Sequence, residues 1–258
     1  MVADAITLIQ LSDCHLPGDR GSRLRGVDTD ATLAAVLDQA LGSHAASAIL
    51  ATGDLANEGA PEAYRRINAL FQNAGVPVLC LPGNHDIADE IGRELVAENI
   101  HILGARRFGN WQIVMLDSTV AGWEDGRLGT AELNRIDRLL NQFPDHHALI
   151  CLHHNPVPVG GAWRNHVALR DAADLFRIAA SHRQIRGLLW GHIHQAFEAT
   201  WNGVRLFGTP STCFQFCLGS DGPTASNDPP GYRLLRLFPD GSIESEAIFL
   251  TPRQNRND

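Results

Sequence analysis

At 258 residues with 44% hydrophobic content, the chain is long enough for a sizeable core in one large domain, and no apolar run reaches the length of a membrane span. The net charge is −8, all 21 basic residues are Arg, and they cluster only in pairs such as Arg65-Arg66 and Arg106-Arg107, which argues against binding long polyanions. Five scattered cysteines, Cys14, Cys80, Cys151, Cys213 and Cys217, fall mostly in apolar segments and suit reduced thiols better than a disulfide framework.

Ile6 to Leu11 reads as a first strand running into Ser12-Asp13-Cys14-His15. Asp13 and His15 share one side of an extended chain and can grip one ion. After a loop carrying Arg20, Arg23 and Arg25, apolar spacing from Thr29 to His44 predicts an amphipathic helix. Ala48 to Ala51 is a short strand that ends in Thr52-Gly53-Asp54. A helix from Pro61 to Asn73, with Pro61 in its first turn and Gly75 past its end, delivers the strand Val76 to Leu81. That strand stops at Pro82-Gly83 and is followed by Asn84-His85-Asp86.

Ile87 to Val96 predicts a helix, and Trp111 to Leu116 a strand leading to Asp117, which suits a structural turn better than a ligand role. Thr130 can cap a helix through Leu140. The strand Ala148 to Leu152 runs into His153-His154-Asn155-Pro156. A helix from Asp171 to Ala180 precedes the strand Ile185 to Trp190, which runs into Gly191-His192-Ile193-His194. Beyond His194 the pattern predicts antiparallel strands: Phe197 to Trp201, an Asn202-Gly203 turn, Val204 to Phe207, Thr212 to Phe216, Tyr232 to Phe238, an Asp240-Gly241 turn, and Ser242 to Leu250. Residues 1–250 read as a single domain without a basic leader, followed by a polar tail from Thr251 to Asp258.

Five apolar strands thus end directly in clusters of Asp, Asn or His, which at one end of a sheet points to a shared metal site. The donors are Asp13, His15, Asp54, Asn84, His153, His192 and His194, with His154 as the alternative to His153. Cys14 and Cys151 alternate to the other side and are not expected to ligate. Seven donors exceed one ion and suit two, roughly 3.5–4 Å apart and sharing a carboxylate. Two divalent ions against two carboxylates leave about +2, which a hydroxide and one phosphodiester monoanion bring near neutrality. Metal-bound hydroxide would attack phosphorus, with His85 stabilising charge or protonating the leaving alkoxide.

At these residues the sequence resembles the calcineurin-like metallophosphoesterase superfamily, whose D-x-H, G-D, G-N-H-D/E, histidine and G-H-x-H signature is matched by Asp13/His15, Gly53-Asp54, Gly83-Asn84-His85-Asp86, His153 and Gly191-His192-Ile193-His194. The resemblance implies a four-layer α/β/β/α sandwich with two mixed central sheets. It also implies one ion on Asp13, His15, Asp54 and His194, and a second on Asp54, Asn84, His153 and His192, with Fe, Mn, Zn or Mg as the metals. In this reading Asp54 and His85 are catalytic, and Asn84, His85 and His194 face the substrate.

Within the superfamily the chain is most similar to bacterial class III 3′,5′-cyclic-nucleotide phosphodiesterases, through 24-LRGVDT-29, His153 to Pro156, Trp163, 166-HVALR-170, Gln195, 209-TPSTC-213, Gln215-Phe216 and 230-PGYR-233. Asn155 departs from a position where relatives often carry His or Pro. The expected activity is hydrolysis of cyclic AMP to 5′-AMP in the cytoplasm. Its rivals are a broad diesterase acting on glycerophosphodiesters or 2′,3′-cyclic nucleotides, and a metal-binding interaction module without turnover. A small phosphodiester is the expected partner, alone or with a second copy of the chain as a homodimer; long nucleic acid and membrane are not. Segments 17–28, 156–168 and 217–231 should border the pocket, where Trp163, His166 or Arg170 could meet base or ribose and Trp163 could equally pack beneath a loop.

Overall fold

The computed structural model describes residues 5–217, 219–220 and 222–251, so the polar tail lies outside them beyond Thr251. Its elements in chain order are β1 (Ile6–Leu11), α1 (Thr29–Ser43), β2 (Ala48–Thr52), α2 (Pro61–Phe71), β3 (Val78–Leu81), α3 (Ala88–Glu94), β4 (Ile100–Ile102), β5 (Gly104–Phe108), β6 (Trp111–Met115), α4 (Gly129–Gln142), β7 (His147–Cys151), α5 (Ala162–His166), α6 (Ala172–Ser181), β8 (Ile185–Trp190), β9 (Phe197–Trp201), β10 (Val204–Gly208), β11 (Gly231–Leu237) and β12 (Ile243–Phe249).

The unbroken apolar runs have a structural reason: these strands are buried on both faces. In β2, Ala48 and Leu50 enter one core and Ile49 and Ala51 another. The core shared by Leu8, Leu50, Leu79, Leu149, Leu189 and Phe207 lies between two sheets. Outside them, α1 and α2 cover one sheet through Leu33, Val36, Tyr64 and Ile67, and α4 and α6 cover the other through Ile136, Leu140 and Leu175. The result is the expected α/β/β/α sandwich. One sheet has the order β12-β11-β1-β2-β3-β4 and the other β5-β6-β7-β8-β10-β9. A parallel run (β1 to β4) continues into antiparallel β11 and β12 on one side of the first sheet, and a parallel run (β6, β7, β8 and β10) is flanked by antiparallel β5 and β9 in the second.

The structure corrects three local expectations. The C-terminal half is not wholly antiparallel, because β10 pairs parallel with β8 while β11 joins the other sheet beside β1. Thr212 to Phe216 is no strand: the Gln215 amide accepts from Ser211 N–H at 2.9 Å and donates to the Ser211 carbonyl at 2.8 Å, occupying groups a ladder would need. Helix α4 is not capped by Thr130; Leu128 and Gly129 N–H donate to the distant Asp171 carboxylate at 3.0 and 2.7 Å. The Asn202-Gly203 turn forms as expected, with both residues at positive φ, 47° and 85°.

Candidate active site

The carboxyl ends of β1, β2 and β3 in one sheet and of β7 and β8 in the other meet along one edge of the sandwich, and every candidate donor follows one of them. Sharp backbone turns aim the side chains inward. Asp13, His15, Asp54, His192 and His194 all have φ between 47° and 67°, in the left-handed region. That region costs a non-glycine residue roughly 1–2 kcal/mol. Main-chain bonds hold the conformation: Asp13 N–H to the Gly53 carbonyl at 3.0 Å and His15 N–H to the Asp54 carbonyl at 2.8 Å. Asp13 in turn accepts the His192 N–H at 3.0 Å. At Gly83 and Gly191 a Cβ would overlap the Asp54 carboxylate and Ser12, so only glycine lets these segments close around the donors.

Two of the donor histidines are oriented by main-chain carbonyls. His153 Nδ1 donates to the Thr52 carbonyl at 2.8 Å, and His194 Nδ1 to the Phe214 carbonyl at 2.7 Å. In both, Nε2 then faces the cluster. His153 Nε2 lies 3.3 Å from Asp54 Oδ2 and 3.2 Å from Asn84 Oδ1. His194 Nε2 lies 3.5 Å from Asp13 Oδ1 and 3.1 Å from His15 Nε2, which stands 3.6 Å from Asp54 Oδ2. His192 Nε2 is buried without a partner.

Donor atoms of Asp13, His15 and His194 lie within 4.8 Å of one another, and so do those of Asp13, Asp54 and His153. Buried nitrogen lone pairs converging with carboxylates are a donor set suited to cations, and their number suits two. His154 also brings a ring nitrogen within 4.8 Å of those of His153 and His192, with its Nδ1 2.8 Å from Ser118 Oγ, but His153 is the one facing Asp54 and Asn84.

Electrostatics agree with that reading at three of the four donor histidines. Burial lowers His15 to about 4 and His192 to about 3, and holds His194 well below the usual imidazole range. These rings are therefore neutral and ready to ligate. Burial also works against charge on His153, but Asp54 and Asp13 outweigh it and raise this ring to about 9. Burial pushes Asp13 up to about 7, whereas at Asp54 the neighbouring His153, His15 and His85 overcome burial and hold the carboxyl well below its usual value.

His85 is exposed at the edge of the cluster, with Nδ1 2.9 Å from the Asn57 carbonyl and its N–H on Asp54 Oδ1 at 2.9 Å. Cys14 is buried in the helix-side core, its thiol pushed by burial to about 12, and Cys151 is buried between the sheets, so neither joins the donors. Asp117 makes the expected turn, accepting from Thr119 N–H and Oγ1 at 2.8 and 2.7 Å.

Above the donors opens a cavity of about 500 Å³, walled by Leu24, Trp163, Val167, Phe214, Phe216 and Pro223, with Arg25, Asn57, Asn84, Glu124 and His166 as polar lining. All three predicted loop segments contribute. Trp163 both lines the cavity and packs edge-on against Phe216, 5.3 Å between centroids. Arg170 does not reach the cavity; it pairs with Asp125 and lies over Trp123. Asp86 proves to be a structural hub, accepting from Leu55, Ala56 and Gly83 N–H and from Tyr64 Oη at 2.9–3.1 Å. Its place in the motif was the one available signal, and it does not reveal those partners.

Residues 6–196 match the family model described as calcineurin-like phosphoesterase. The chain is 36% identical over 247 residues to the 3′,5′-cyclic adenosine monophosphate phosphodiesterase CpdA of Pseudomonas aeruginosa, covering 93% of this chain and 89% of that one. It is 33% identical over 241 residues to the 3′,5′-cyclic-nucleotide phosphodiesterase alr5338 of Nostoc, covering 92% and 90%. A dimetal phosphatase from Danio rerio shares the fold, with a TM-score of 0.68 at 14% identity, over 96% of this chain and all of that one. The chain belongs to the calcineurin-like phosphoesterase family.

Proposed function

We propose that the protein is a dinuclear-metal phosphodiesterase that hydrolyses 3′,5′-cyclic AMP to 5′-AMP. The observation that carries this reading is the convergence of buried imidazole nitrogens with Asp13 and Asp54 beneath an aromatic-walled cavity. Near-full-length similarity to cyclic-nucleotide phosphodiesterases supports the substrate. Asp13, His15, Asp54 and His194 would hold one ion, and Asp54, Asn84, His153 and His192 the other. The mixed imidazole and carboxylate set favours Fe, Mn or Zn over Mg. When bound, such ions make water a nucleophile near neutral pH and neutralise the phosphoryl oxygens.

The residues of the chain then have distinct tasks. Asp54, fixed by the His85 N–H, presents its other oxygen between His15 and His153. A water oxygen, its proton released to solvent, bonds to phosphorus as the P–O3′ bond breaks in line. His85, with Nδ1 donating to the Asn57 carbonyl, can carry a second proton on Nε2 and pass it to the departing O3′. The aromatic part of the cavity wall offers the nucleoside an apolar surface. No helix among the described residues is long and apolar enough to cross a membrane, and the five free cysteines fit a reducing compartment, so we place the enzyme in the cytoplasm.

The test is steady-state hydrolysis of cyclic AMP and of bis(p-nitrophenyl) phosphate by chelator-stripped protein reloaded with Mn or Fe. Metal-dependent turnover of both is expected. Turnover of the activated diester alone would move the substrate to other small diesters, and turnover of neither would leave a binding module.

A further inference from the structure

At the mouth of the cavity, residues 24 to 27 form a two-residue hairpin in which the N–H groups of Leu24 and Val27 bond each other's carbonyls at 3.0 and 2.9 Å. Its central residues, Arg25 and Gly26, have φ of 50° and 84°, the primed geometry that favours Asn-Gly. Turn chemistry alone therefore gives no reason for Arg25. Its side chain does. The guanidinium carbon lies 5.6 Å from the Phe214 centroid and 5.7 Å from that of Phe216, inside the cavity. Among the described residues Arg25 is the only Arg or Lys lining that cavity, and it has no carboxylate partner.

Phe214 and Phe216 pack in turn on His194, at 5.0 and 4.5 Å, and Phe214 stacks on His15 at 6.3 Å. One aromatic layer thus separates Arg25 from the donor cluster. A phosphodiester held at the cluster leaves Arg25 facing the group esterified to it. A planar cation seated on aromatic faces, with its N–H fork unspent among the described residues, suits a flat heterocycle bearing ring-nitrogen acceptors.

Resting on the proposed cyclic-nucleotide hydrolysis, we infer that Arg25 is a specificity-determining residue: it donates N–H to the purine base of the substrate, with Phe214 and Phe216 holding its guanidinium in place. Arg25→Asn tests this well, because Asn tolerates the left-handed turn while removing the guanidinium. Arg25→Lys keeps the charge and loses the fork.

The readout is kcat/KM for 3′,5′-cyclic AMP relative to methyl p-nitrophenyl phosphate, a diester with no base. The ratio should fall about ten- to hundredfold in both variants, mainly through KM for cyclic AMP. Arg25→Asn should melt no lower than the wild type. An unchanged ratio, or parallel loss on both diesters, overturns the inference. Should the wild type cleave the baseless diester and not cyclic AMP, the substrate reading fails separately. Inhibition of the baseless reaction by 5′-AMP and by ribose 5-phosphate then decides: stronger inhibition by AMP that is lost in Arg25→Asn supports the role of Arg25, and equal inhibition, or an advantage that survives, overturns it.

Discussion

His153 donates from Nδ1 to the carbonyl of Thr52 at 2.8 Å, and this bond ties the two sheets together at the site. Thr52 closes β2 in one sheet, and His153 follows β7 in the other. The same bond aims Nε2 at Asp54 and Asn84, which follow strands of the opposite sheet. The donor set is therefore complete only when both sheets pack against their shared core.

Asp54 is the residue most exposed to test. Its Oδ2 stands between His15 and His153, one from each proposed ion site. Asp54→Asn removes the shared negative charge and should lower turnover at least about a hundredfold, with bound metal falling below two ions per chain. Elemental analysis beside steady-state kinetics checks this; unchanged metal content and turnover would remove Asp54 from the centre.

Asp86 should matter for stability as much as for activity. Asp86→Ala leaves the N–H groups of Leu55, Ala56 and Gly83 and the Tyr64 hydroxyl without their acceptor. We expect a loss of about 2–4 kcal/mol, a fall in Tm of roughly 5–15 °C for a chain of this size. Tyr64→Phe removes one donor and frees Ile87 N–H, which its hydroxyl accepts at 3.0 Å, and should cost only about 1 kcal/mol. Thermal melts of the two variants rank them; the reverse order would show that Tyr64 and not Asp86 organises the turn.

Much of this was legible in sequence because buried parallel strands read as unbroken apolar runs, so the polar clusters stood out at their ends. The α/β class and the convergence of the donor-bearing strand ends follow from that pattern, whereas the two-sheet sandwich comes from the family resemblance. Conformation at the donors does not: the positive φ values of Asp13, His15, Asp54, His192 and His194 are held by partners far along the chain, such as the Gly53 carbonyl on Asp13 N–H. The same holds for β10, whose partner β8 is decided by sheet closure, and for β4 and β5, one only three residues long and the other an exposed edge bearing Arg106 and Arg107. Gln215 had no local signal at all, since its amide decides the backbone by folding back on Ser211.

The cysteines give a prediction independent of catalysis. Cys14, Cys80, Cys151 and Cys213 are buried, and burial pushes each thiol up, Cys14 to about 12 and the others further. Cys217 alone is partly exposed. Native protein treated with iodoacetamide at mildly alkaline pH should be modified at Cys217, and the other four should react only after unfolding. Peptide mass spectrometry reads this directly, and modification of Cys14 in the native protein would contradict the packing beneath the site.

His85 can act by moving a proton or by stabilising charge, and leaving groups separate the two. Its ring is anchored at Nδ1 by the Asn57 carbonyl, so Nε2 is the atom available to substrate. An alkoxide needs a proton as it departs, whereas p-nitrophenolate leaves without one. If His85 transfers the proton, His85→Ala should lower kcat for cyclic AMP by about 10²–10⁴ and that for bis(p-nitrophenyl) phosphate far less, with metal content unchanged. If it only stabilises charge on the phosphoryl group, both substrates lose equally, because that charge develops with either leaving group. Replacement by Gln, which can donate a hydrogen bond but cannot deliver a proton, should restore activity only in the second case.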